Sequence, residues 1–178
     1  LEELREIINS MEKLDVLYMA LLFHDIGKAA GKHHEEEGYR RLKNILDRFN
    51  LEGRKRVTIE FLVKNHILMS RLAMTRETSD MDVIARFADT VGDLEKLKAL
   101  YLITYADMSA VNPRFWTSWK AYFLRGLYLS AREYLSGIKE DKAEYLKSLQ
   151  SFSSEIKTEE LIRFIDDMPE RYLLSTSK

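Results

Sequence analysis

Apolar residues recur along the chain at the spacing of amphipathic helices. In the first set, Leu14, Leu17 and Leu21 follow the i, i+3, i+7 positions of one helix face. The same period appears in five sets, which lie at 14–22, 42–49, 57–65, 83–91 and 94–105. No segment shows sustained strict alternation between apolar and polar residues, so no strand is predicted. The pattern therefore predicts an all-α fold.

Turn and cap residues separate these sets. The segment 27–31 (GKAAG) predicts the end of the helix that contains the set at 14–22, and the polar segment 75–80 predicts a loop with a Ser or Asp cap before the next helix. Residues 92–93 (Gly-Asp) predict a further cap. Pro113 predicts the start of a long helix that ends near Gly137, because proline is tolerated in the first helical turn.

The length and the distribution of apolar residues indicate one main domain with a peripheral part. A chain of 178 residues is long enough to bury its own core. We expect a helical bundle over 1–136 and a more polar helical extension over 137–178 packed on it. Within the extension, weaker periodicity predicts helices near 143–152 and 158–166.

Composition excludes several classes of protein. The chain has no cysteine, which excludes a disulfide scaffold and a thiolate metal site. Its 28 basic and 29 acidic residues nearly cancel, so no general nucleic-acid-binding surface is indicated. The apolar run at 16–23 is far shorter than the roughly 20 residues of a membrane span, and the charged N-terminus is not a signal peptide. We therefore expect a cytoplasmic protein with no membrane partner. Because the chain does not begin with Met, we also expect it to be a fragment of a longer one.

The candidate chemistry consists of histidines and aspartates beside apolar helix faces. His24 and Asp25 follow an apolar stretch, His34 lies in the polar cluster HHEEEG, His66 follows KN, and Asp107 lies in YADM. Imidazole and carboxylate together bind Mn, Fe, Zn or Mg, and helical bundles build such sites from several helices. Taken singly, His66 is also typical of a core histidine and Asp107 of a helix cap, so the residues alone leave both interpretations open.

The segment 21–28 (LLFHDIGK) resembles the signature of the HD superfamily of metal-dependent phosphohydrolases. The resemblance implies an all-α HD domain that binds one or two divalent ions, Mn or Mg first and Fe or Zn as alternatives. The ligands that it implies are His24, Asp25, His34, His66 and Asp107.

Three longer segments resemble one branch of that superfamily. These are 61–80, which contains NHILMS, 100–131, which contains TYADM and WTSWK, and 167–174 (DMPERYLL). All three are similar to the uridylyl-removing HD domain of the bacterial PII uridylyltransferases. The resemblance implies hydrolysis of the bond between UMP and a tyrosine of the partner protein PII. It also implies a parent chain with nucleotidyltransferase and ACT domains.

In such a reaction, positions in the sequence suggest roles for individual residues. Asp25 would bridge the ions, and Lys28 would contact a phosphate oxygen, which makes these two the catalytic candidates. Lys28 also fits a lysine that interacts with a helix C-terminus. Arg71 and Arg76 would bind the phosphate of UMP or acidic groups of the partner, although both also fit ordinary surface charge. No histidine precedes His24, so we expect the family's first metal ligand to be missing.

Two other functions are compatible with these residues. One is a stand-alone HD phosphohydrolase that acts on nucleotides, and the other is a regulatory HD module that has lost its metal and its activity. The NHILMS and TYADM segments argue against the first, and retention of the other ligands argues against the second.

Overall fold

The computed structural model describes residues 2–28, 34–75, 80–111 and 116–137. Within these ranges the chain forms eight helices and no strand, which confirms the all-α prediction. The helices are α1 (Glu2–Asn9), α2 (Leu14–Phe23), α3 (His34–Arg48), α4 (Gly53–Asn65), α5 (Leu68–Met74), α6 (Met81–Val91), α7 (Leu94–Val111) and α8 (Ser118–Ser136).

The five periodic sets correspond to α2, α3, α4, α6 and α7. The prediction for α8 was wrong at its beginning. This helix starts at Ser118 and not at Pro113, because Thr117 is extended and its hydroxyl accepts a hydrogen bond from the Lys120 amide at 3.4 Å. Its end is confirmed, since Gly137 adopts the left-handed conformation of a C-cap with φ 65°. The short helices α1 and α5 were not predicted.

The predicted caps around α6 are confirmed. Asp80 precedes α6, and its carboxylate accepts a hydrogen bond from the Asp82 amide at 2.8 Å. Gly92 ends α6 with φ 83°, and Asp93 then caps α7 by accepting a hydrogen bond from the Lys96 amide at 2.8 Å. Local sequence thus determines where these helices begin and end.

Helix α7 lies at the centre of the bundle. It contacts α1, α2, α4, α5, α6 and α8. Its residues Leu97, Leu100 and Ile103 have no exposed side-chain surface, because apolar residues occur on all sides of this helix. Burial of each such side chain contributes roughly 1.5–3 kcal/mol. Residues toward the end of α7 are therefore held against several helices at once.

Helices α2 and α4 lie side by side and run in the same direction. At their first turns, Lys55 of α4 donates a hydrogen bond to the carboxylate of Asp15 of α2. At their far ends, the rings of His24 and His66 lie 5.5 Å apart between centroids. The two helices therefore end at the same place, and α3, which connects them along the chain, packs on α4.

The extension predicted over 137–178, with its two helices, lies outside the described residues except for Gly137. Among the helices of the described ranges, none is long and apolar enough to cross a membrane.

Candidate metal centre

Two predicted ligands occupy the same position in two helices. His24 directly follows α2 and His66 directly follows α4, each as the C-cap. The Nδ1 atom of His24 lies 2.7 Å from the Leu21 carbonyl oxygen, and that of His66 lies 2.8 Å from the Val63 carbonyl oxygen. A carbonyl oxygen only accepts hydrogen bonds, so each Nδ1 carries the proton and donates it. In the neutral imidazole, Nε2 then keeps its lone pair for a metal ion.

His24, Asp25 and Asp107 converge on one point. The Nε2 atom of His24 lies 3.4 Å from Oδ2 of Asp25 and 3.7 Å from Oδ1 of Asp107. One ligand atom from each of the three residues lies within 4.8 Å of the others. Ligands around one divalent ion, with bonds of about 2.0–2.3 Å, stand roughly 3–4 Å apart. The spacing of this group therefore suits a shared cation.

His66 lies next to this group and is not a member of it. Its ring meets that of His24 edge to face, at an interplanar angle of 75°, and only 3% of the residue is exposed. Thr104 of α7, which is buried one turn before Asp107, contacts the C-terminal end of α4 at His66. Its hydroxyl donates to the Leu100 carbonyl at 2.7 Å and lies 3.4 Å from the His66 carbonyl oxygen. Sequence reasoning missed Thr104, although a lone hydroxyl in the apolar stretch LYLITYA is the signal that marks it.

The charges in the centre favour a cation. The imidazole of His24 and the carboxylate of Asp107 interact across 3.7 Å, which raises the pKa of His24 and lowers the pKa of Asp107. Burial lowers the pKa of His66, which favours its neutral, ligating form. In addition, α2 and α4 direct the negative ends of their dipoles to this point. Because a metal ligand must be unprotonated, metal binding would release any proton bound at Nε2 of His24.

Lys28 lies beside Asp25. Helix α2 does not continue to Lys28; the chain turns over residues 24–27, and Nζ of Lys28 meets Oδ2 of Asp25 at 2.7 Å. This carboxylate raises the pKa of the ammonium. The Lys28 side chain is 68% exposed, so the ammonium is open to an approaching anion.

Of the other predicted site residues, the structure describes the side chain of Arg71 alone. Arg71 belongs to α5 and is exposed. His34 is the first residue of α3, but its side chain is outside what the structure describes, as is Arg76.

Within the described ranges, the donor set of the centre is one imidazole and two carboxylates, with a second imidazole beside it. This set fits a hard or borderline divalent ion. A family model for the HD domain matches residues 1–96. The chain belongs to the HD domain family. Asp107 lies beyond the matched residues, and the tertiary structure of this HD domain brings it to His24.

Relatives of this HD domain carry the name bifunctional uridylyltransferase/uridylyl-removing enzyme. The protein from Burkholderia thailandensis is 38% identical over 82% of the chain, that from Bordetella parapertussis 39% over 76%, and that from Burkholderia mallei 37% over 82%. The matched part of the HD domain spans only 16–17% of the length of these curated relatives. No solved structure matches the chain.

Proposed function

We propose that this HD domain hydrolyses the phosphodiester bond between UMP and a tyrosine of the signal protein PII. It would do so as one domain of a longer enzyme that also contains nucleotidyltransferase and ACT domains. The observation that carries the proposal is the convergence of His24, Asp25 and Asp107. The printed names of the relatives, which include a uridylyl-removing activity, support the choice of reaction.

The side chains of the centre would hold one or two divalent ions, Mn or Mg first and Fe or Zn as alternatives. His24, Asp25 and Asp107 would hold the first ion, and Asp25, His34 and His66 would hold a second. A bound divalent ion lowers the pKa of its water and polarises a phosphoryl oxygen. The Leu21 and Val63 carbonyls keep the two imidazoles in the ligating tautomer.

Cationic residues would bind the phosphodiester. Lys28 already lies 2.7 Å from Asp25, at the exposed edge of the centre, where its ammonium would donate to a phosphate oxygen. Arg71 follows His66 by five residues in the sequence. Arg71 and Arg76 would contact the UMP phosphate or acidic groups of PII. These contacts would orient the substrate before water attacks the phosphorus.

The proposal is tested by measuring UMP release from uridylylated PII. We expect UMP release in the presence of Mn²⁺ or Mg²⁺, and we expect Asp25→Asn to reduce it at least about 100-fold, because a ligand contributes more than its outer-shell partners do. Circular dichroism should show unchanged helicity, since the Asp25 side chain is outside the core. Asp82→Asn is the matched control, because Asp82 is exposed in the first turn of α6.

The assay should use the 178-residue chain and the full-length parent protein in parallel. Absence of UMP release from both, with metal bound, would contradict the proposal. Hydrolysis of free nucleotides without UMP release would instead indicate a nucleotide phosphohydrolase. Absence of both metal binding and hydrolysis would indicate a regulatory module.

A further inference from the structure

Helix α3 makes an unusually close contact with the turn that follows α2. The contact is between Gly38 of α3 and Gly27 of the turn, and both residues are buried. A Cβ atom on Gly38 would lie 3.2 Å from the Gly27 amide nitrogen and 3.5 Å from its Cα atom. The separation from the amide nitrogen is shorter than most contacts that Cβ atoms make in proteins, whereas 3.5 Å is an ordinary van der Waals contact, and backbone atoms have little freedom to move aside. A side chain at position 38 would therefore push the Gly27 backbone away by a few tenths of an ångström, and glycine avoids this displacement.

The turn that Gly38 contacts carries the centre. Residues 24–27 form it, and two backbone hydrogen bonds hold it: the Ile26 amide donates to the Phe23 carbonyl at 3.1 Å, and the Lys28 amide donates to the Asp25 carbonyl at 2.9 Å. Gly27 lies between Asp25 and Lys28, so a shift of its backbone moves both side chains. Metal–ligand distances tolerate only about ±0.2 Å.

A glycine inside α3 is also unfavourable for the helix itself, because alanine is the better helix former. Its presence at a buried contact indicates that the close approach outweighs helix propensity. A residue that violates a local preference in this way is a candidate for a functional constraint.

We propose that Gly38 is a positioning residue, whose backbone contact with Gly27 sets the place of the His24–Asp25 turn relative to Asp107. The same contact sets the place of the first turn of α3, where His34 precedes Gly38 by one helical turn. This inference rests on the metal centre of the proposed function, but it concerns the geometry of the chain and not the reaction.

The test compares Gly38→Ala with Leu46→Ala. Leu46 also belongs to α3 and is fully buried, but it is two helical turns away from Gly38, so its truncation destabilises α3 without touching the turn. Two quantities are measured on each variant: the dissociation constant for Mn²⁺, and hydrogen exchange of the Ile26 and Lys28 amides relative to the amides of α6.

In Gly38→Ala, we expect the Mn²⁺ dissociation constant to rise about tenfold or more, as for other changes behind a metal ligand. Exchange of the two turn amides should accelerate more than exchange in α6, and circular dichroism should show an intact helical fold. In Leu46→Ala, exchange in the turn and in α6 should accelerate together, and the Mn²⁺ affinity of the folded protein should stay at the wild-type level.

A Gly38→Ala protein with wild-type Mn²⁺ affinity and wild-type exchange in the turn would overturn the inference. Loss of the helical fold would also overturn it, because it would show a role in folding and not in positioning. Selective loosening of the turn with weaker Mn²⁺ binding supports the inference even if wild type releases no UMP. In that case only the proposed reaction fails.

Discussion

At the scale of single residues, the two histidines of the centre each satisfy a need of the fold. The last carbonyl groups of a helix have no partner within the helix. Nδ1 of His24 and of His66 supplies one, three residues back along the chain, to Leu21 and Val63 respectively. The same hydrogen bond turns the unprotonated nitrogen of each ring away from its own helix. One local interaction thus caps the helix and orients the ligand.

Substitution of Lys28 should affect the reaction with the phosphodiester substrate but not the thermal stability of the domain. We expect Lys28→Ala to leave the midpoint of thermal unfolding nearly unchanged, because an exposed ion pair such as Lys28–Asp25 contributes little to stability. The kcat/KM for UMP release should fall by about tenfold or more, since a charge-assisted hydrogen bond to phosphate is lost. Steady-state kinetics and calorimetry check the two expectations.

Lys43→Ala serves as the control for this substitution. Lys43 is an exposed lysine of α3, and its Nζ lies 4.6 Å from the centre of the Tyr39 ring. It should retain full activity. Equal losses of activity in both variants would show that Lys28 acts only through the overall charge of the domain.

At the scale of helices, the centre depends on where three of them end. Helices α2 and α4 run in parallel and place their C-caps together, and α7 brings Asp107 to the same point about one turn before its own end. The position of Asp107 depends in turn on the register of α7, which its N-terminal cap helps to set. That cap is Asp93, 14 residues before Asp107 in the sequence.

We expect Asp93→Ala to lower the free energy of unfolding by about 1 kcal/mol, because the hydrogen bond to the Lys96 amide is lost. Urea denaturation followed by circular dichroism measures the change. Asp93→Asn should retain most of the stability, since its side-chain oxygen still caps the helix. If Asp93→Asn were as unstable as Asp93→Ala, the ion pair between Asp93 and Lys96, at 3.1 Å, would be the stabilising contact instead.

At the scale of the whole molecule, the described helices share one core around α7. Buried side chains from α2, α3, α4, α5, α6 and α8 belong to the same cluster as those of α7. The half-buried centre lies at the edge of this cluster, where polar groups remain within reach of water. A fully buried centre would pay a larger desolvation cost for its two carboxylates.

Two leucines provide a direct test of this core. We expect Leu100→Ala, at a residue of α7 with no exposed surface, to lower the free energy of unfolding by about 2–5 kcal/mol through loss of contacts and a cavity. Leu22→Ala, at a residue that is 71% exposed, should change it by less than about 0.5 kcal/mol. Chemical denaturation of both variants measures the difference. Similar values for the two would contradict a core centred on α7.

The sequence predicts correctly those features of the structure that depend on interactions between residues close together in the chain. The helical period at 14–22 and the cap residues Asp80 and Gly92 act within a few residues, and the structure confirms what they predict. The beginning of α8 was predicted wrongly because a proline at position 113 permits a helix start but does not require one. Thr117, which makes the capping hydrogen bond, lies four residues later.

For the centre, the sequence by itself determined the chemistry: without cysteine, any metal must be held by imidazole and carboxylate. It also marked His24, Asp25, His66 and Asp107 as candidates. Only the tertiary structure decided that three of them converge while His66 stands beside them, and that Gly38 meets Gly27. The physical reason is that these distances join residues of different helices. They depend on how α3 and α7 pack against α2 and α4, and a periodic pattern within one helix carries no information about that packing.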